Sequence, residues 1–127
     1  MNRFPLQLKV SPAKKMGYWV LNDNFIYFPT PKMHTSKIIV PKDFETNFAS
    51  IPRIFRNIIQ VWGKHGKAAI IHDYLYTKKC TPEVTRKKAD QIFLDAMKFS
   101  KVGFFKRQLM YRVVRLFGDI NWKKEGL

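Results

Sequence analysis

Thr85-Arg86-Lys87-Lys88-Ala89-Asp90-Gln91-Ile92-Phe93-Leu94-Asp95-Ala96-Met97-Lys98-Phe99 sets apolar side chains at Ala89, Ile92, Phe93 and Ala96. That is the i, i+3, i+4, i+7 spacing of one helix face, and Met97 widens it. The spacing predicts a helix over about 85–99 with Asp90 at the edge of its apolar stripe. Upstream, Ala68, Ile71, Leu75 and Tyr76 share a broad face with His72, which predicts a helix over about 67–76. On that helix Asp73 lies toward the border of the face, and Ile70 and Tyr74 point elsewhere. Downstream, Gly103 precedes a third periodic stretch, 104–117. Its stripe is read as Phe105, Leu109, Val113 and Leu116, with Arg107, Arg112 and Arg115 mostly on the other side and Gly118 as a cap. A further helix is expected over 52–62, because proline is tolerated in a first helical turn and Pro52 stands at its start.

The first half reads differently. Short β-favouring runs at 7–10, 18–21, 25–28 and 37–40 are broken by Pro29, Pro31 and Pro41, which lack the backbone donor a sheet needs. Asn22-Asn24, with Asp23 between, is a turn sequence and predicts a hairpin joining 18–21 to 25–28. The expected fold is α+β: a small N-terminal antiparallel sheet packed against three or four C-terminal helices. A chain of 127 residues fits one domain, strand-rich over 1–50, helix-rich over 51–118, with a tail at 119–127 anchored by Trp122.

Composition narrows the function classes. The chain is 46% hydrophobic with eleven Phe and three Trp, enough for a core, yet 24 Lys or Arg face 9 Asp or Glu for a net charge of +15. The charge is spread along the chain rather than gathered in a tail. It favours an anionic partner: nucleic acid, an anionic membrane or a cell-envelope polymer, with an acidic protein as the other class. Cys80 is the single cysteine, so neither an internal disulfide nor a cysteine-rich zinc site can form. No run approaches the roughly 20 apolar residues of a transmembrane helix, and Met1 to Val10 lacks a signal-peptide core.

His72 and Asp90 are the chemical candidates. A titratable side chain on an apolar face needs a partner. If the two helices pack, Asp90 can hold one imidazole nitrogen and leave the other as a general base. The same contact would serve as a purely structural polar link between helices. Tyr76 can hydrogen-bond an aspartate, and Asp73 can bind a cation or join elements. A second group lies in Thr46-Asn47-Phe48-Ala49-Ser50-Ile51-Pro52-Arg53, where strand passes into helix. Ser50 suits a helix cap, or a nucleophile activated by His72. Arg53 can fork a phosphate or carboxylate, or pair with Asp43 or Glu45.

The stretches 44–53, 68–76, 89–93, 110–111 and 117–118 together resemble a phage- and prophage-borne family, domain of unknown function 1353, over roughly residues 18–118. The family pattern has an aspartate where this chain has Asn47, which removes a charge from that position. The resemblance implies a phage or prophage context, with host cytoplasm or a virion as the expected location and a phage structural or host protein as a candidate partner, and no settled activity. Locally, His72-Asp73-x-x-Tyr76 is similar to the active-site helix of secreted phospholipases A2. By that likeness His72 would activate water, Asp73 would bind calcium, Asp90 would orient His72 and Tyr76 would support the aspartate. The disulfide cysteines and glycine-rich calcium loop of that family are absent from this chain. Two functions follow: hydrolysis of an acyl ester or amide at a His–Asp pair, with Arg53 or a cation such as calcium on Asp73 stabilising the anion and Asn47 and Tyr76 at the substrate; or non-enzymatic binding to nucleic acid or another anionic partner in a virion or during infection.

Overall fold

The computed structural model describes residues 2–46, 65–120 and 122, with the side chain of Ile120 excepted. Five short strands come first: β1 Val10–Pro12, β2 Trp19–Leu21, β3 Phe25–Tyr27, β4 Ile38–Val40 and β5 Glu45–Thr46. Three helices follow: α1 Gly66–Leu75, α2 Arg86–Phe99 and α3 Phe104–Phe117. The α+β expectation and the extents of these three helices hold to within a residue or two. The helix expected over 52–62 lies outside the described residues.

The strands form two antiparallel sheets, ordered β1-β2-β5 and β3-β4. Val10 faces Leu21 and Trp19 faces Thr46 in the first; Phe25 faces Val40 and Tyr27 faces Ile38 in the second. The expected hairpin through Asn22–Asn24 therefore does not form. Leu21 donates its N–H to Phe44 and accepts from the N–H of Asp43, while Asn22 donates to Lys9. Both edges of β2 are thus taken, and β3 pairs with β4 instead. The turn side chains hold the junction: Asn22 accepts from the Ser11 hydroxyl, and Asn24 accepts from the Lys42 N–H. Strand alternation is clear in the second sheet, where Phe25, Tyr27, Ile38 and Val40 are buried and Ile39 is exposed.

Helix α1 is the centre of the molecule, between β4 and β5 on one side and α2 on the other. Ile70 and Tyr74, expected to point away, are buried with Ala68, Ile71 and Leu75. A helix enclosed on all sides is apolar around its circumference, and a one-face reading misplaces such residues. Helix α2 begins where the Thr85 hydroxyl accepts the N–H of Lys88, an N-cap, and buries Ala89, Ile92, Phe93, Ala96 and Met97. Helix α3 packs on α2 through Met110, Val113 and Val114. Phe105 and Leu116, expected inside, are exposed. Val113 of the expected stripe is buried and Leu109 packs half-buried against the core, so the inward face is shifted rather than reversed: it adds Met110 and Val114, and Arg115 reaches Asp90. Gly118 is not a left-handed cap (its φ is −69°) and leads into a short 3-10 turn, Gly118–Ile120.

Candidate functional site

His72 and Tyr76 stand four residues apart at the C-terminal end of α1, so both side chains leave the helix on one side. Asp90, on the first half of α2, meets them with no exposed surface. His72 Nε2 lies 2.7 Å from Asp90 Oδ1, and the Tyr76 hydroxyl donates to the same oxygen. The Arg115 Nη1 of α3 donates to Oδ2 at 2.7 Å. Arg86, one turn before Asp90 on α2, brings its Nη1 to 3.7 Å from Oδ2 and donates to the carbonyls of Val114 and Arg115. One carboxylate thus gathers donors from all three helices.

The electrostatics follow from that count. Burial alone would push the Asp90 carboxyl up; hydrogen bonds and charge from His72, then the bonds from Tyr76 and Arg115, outweigh it and hold the carboxyl below its ordinary value. Burial, reinforced by the hydrogen bond to Asp90, raises Tyr76 well above the usual tyrosine range. An ionised carboxylate only accepts, so the proton in the contact belongs to His72 Nε2. In the neutral ring, Nδ1 then carries a lone pair. His72 is 3% exposed, and Nδ1 has no hydrogen-bond partner among the described residues. The ring is fixed between Tyr76, 4.2 Å away by centroids, and Phe93, 4.7 Å away.

The structure brings together His72, Asp90 and Tyr76. Asp73 points elsewhere: its Oδ2 accepts from the Thr46 hydroxyl, tying α1 to β5. Among the described residues no group of three or more His, Cys, Asp or Glu is arranged to hold a metal ion. Asn47, Ser50 and Arg53 lie outside the described residues. His65 is fully buried at the start of α1, while His34 is exposed.

Sequence reasoning missed Arg115 and Arg86 as partners of Asp90. The i, i+4 spacing of Arg86 and Asp90 was a readable signal; Arg115 depends on how α3 docks and had none. It also missed a second buried carboxylate. Asp95 accepts from the Tyr27 hydroxyl and from the N–H and hydroxyl of Thr30, fastening β3 and the following turn to α2.

A family model described as "Protein of unknown function (DUF1353)" matches residues 19–114, about three quarters of the chain. No curated protein and no solved structure matches.

Proposed function

The chain belongs to the DUF1353 family, and from that premise we propose that it is a small phage-encoded accessory protein that hydrolyses an acyl ester or amide with His72 as general base. The observation that carries this reading is the unequal use of the imidazole. Nε2 is held by Asp90 and Nδ1, buried, has no hydrogen-bond partner among the described residues. A purely structural histidine normally spends both nitrogens, because a buried unsatisfied polar atom costs about 1–3 kcal/mol. Here one nitrogen is kept as an acceptor.

In the proposed reaction Nδ1 takes a proton from water as its oxygen bonds to the acyl carbon. The carbonyl π electrons move to the carbonyl oxygen. As the tetrahedral intermediate collapses, the proton passes from Nδ1 to the leaving alcohol or amine. Asp90 stabilises the transient imidazolium and fixes the ring, and Tyr76 and Arg115 hold Asp90 in turn. No step is routed through calcium. Arg53 is the candidate for stabilising the oxyanion, and Ser50 the alternative nucleophile.

The test is turnover on a panel of short-chain acyl esters, glycerophospholipids and acyl amides. His72→Ala should lower turnover about 100-fold or more, the range of a lost general base, with an unchanged circular dichroism spectrum. Full turnover by folded His72→Ala would remove the proposal. The competing reading, a non-enzymatic binder of an anionic partner, is favoured by the charge of +15; it predicts no turnover on any member of the panel.

A further inference from the structure

Helix α3 leaves large apolar side chains in water. Phe105 is 87% exposed, Leu116 73%, Phe104 57% and Phe117 46%. At 100° per residue, Phe105, Arg112 and Leu116 fall within about 40° of one another, on the side of α3 away from Met110 and Val114, while Leu109 beside them is half-buried against the core. The stripe runs about 16 Å along the helix. The Phe104 and Phe105 rings stand edge to face with centroids 5.5 Å apart, and large apolar side chains exposed together on one helix mark a place where something binds.

The charges around it say what. From Phe104 to Phe117 the helix holds four basic residues and no acidic one: Lys106, Arg107, Arg112 and Arg115. Arg115 is engaged by Asp90, and Arg107 donates to the Val102 carbonyl and lies over the Phe104 ring. Lys106 and Arg112, with exposed Lys101 just before the helix, make no ion pair among the described residues. An apolar stripe bordered by unpaired cations on flexible stems fits a bilayer surface. Its Phe and Leu side chains enter the boundary between headgroups and acyl chains, and its Lys and Arg side chains reach the anionic headgroups.

We propose that the outward face of α3 is a peripheral docking surface for an anionic lipid bilayer. A second copy of the chain fits this surface poorly, because it would bring Arg112 against Arg112 between two molecules of charge +15 each. Nucleic acid matches the cations and offers bases to Phe104 and Phe105, but gives Leu116 and Phe117 no acyl volume to enter. No helix among the described residues is long and apolar enough to cross a membrane, so the contact lies at the surface. It also sits apart from the function of His72: docking does not require the imidazole to be a base.

The experiment is co-sedimentation of the full chain with vesicles of phosphatidylglycerol and phosphatidylcholine mixed equally, and with pure phosphatidylcholine, at low and high salt. The wild type should bind the mixed vesicles at low salt, and binding should weaken as salt rises. The double variant Phe105→Ser/Leu116→Ser should bind at least tenfold more weakly with an unchanged melting temperature, since both side chains already lie in solvent. The double variant Lys106→Gln/Arg112→Gln should lose the preference for the anionic vesicles. Turnover on a water-soluble ester should survive both, and His72→Ala should still sediment with vesicles, which separates this surface from the catalytic reading. Absence of binding to the mixed vesicles at low salt would overturn the proposal, as would binding untouched by the Phe105/Leu116 pair. A wild-type dimer that this pair converts to monomer would make the face a self-interface instead. Tighter binding to DNA than to vesicles, lost only in the Lys106/Arg112 variant, would assign it to nucleic acid.

Discussion

Asp90 has no exposed surface, yet its environment favours the charged form, since His72, Tyr76 and Arg115 all donate to it. Its carboxyl sits below the ordinary value of 3.8 in the folded chain, so the folded protein binds that proton more weakly than the unfolded chain does. The resulting stabilisation is complete above the unfolded value and is lost as pH falls through it toward the folded one. Asp90→Asn should therefore cost roughly 2–4 kcal/mol near neutral pH, the range for losing charged hydrogen bonds to a buried group. In urea unfolding measured across pH, that difference should stay level down to about pH 5 and shrink below about pH 4. A difference that did not change with pH would mean that Asp90 is not the ionised centre of the network.

At the scale of elements, the contact between α1 and the end of α3 depends on a missing side chain. A Cβ at Gly118 would lie 2.5 Å from the Tyr76 hydroxyl and 3.1 Å from Arg86 Nη1. The backbone there is ordinary helical, so glycine is needed for space and not for its dihedral freedom. Gly118→Ala should destabilise by about 1–3 kcal/mol through overpacking. The same substitution made in Tyr76→Phe, which lacks the hydroxyl, should cost clearly less; thermal melts of the four proteins in that cycle measure the coupling. Helices α1, α2 and α3 were legible because Ala89, Ile92, Phe93 and Ala96, and the glycines near the helix ends, are local signals. The face of α3 was not. Phe105 and Leu116 obey helical spacing as well as Met110 and Val114 do, and the set that turns inward is settled by how α3 docks on α2, which leaves no local signal.

Across the whole molecule, α2 is pinned by two buried carboxylates five residues apart. Asp90 faces α1 and α3, while Asp95 faces β3 and the turn after it, where burial and the carboxylate push the Tyr27 hydroxyl well above its usual range. The α+β class and the His72–Asp90–Tyr76 grouping could be read from the chain because they follow from periodicity and from the need to satisfy polar groups on apolar faces. Strand order could not. Asn22–Asn24 looks like a hairpin turn in isolation, and what prevents the hairpin is a long-range event, the arrival of Asp43 and Phe44 at the edge of β2. The partners of Asp95, Tyr27 and Thr30, lie more than sixty residues away and leave no local trace.

His72 is held through Nε2 by Asp90, and the proposed reaction needs Nδ1 as its proton acceptor. The most direct measurement is the nitrogen-15 imidazole spectrum of histidine-labelled protein, assigned with His72→Gln, over a pH titration. The expected spectrum has the neutral ring of His72 carrying its proton on Nε2, and Asp90→Asn should release this tautomer preference. A neutral His72 protonated on Nδ1, or a ring whose state ignores Asp90→Asn, would contradict it and leave the pair a structural link between helices.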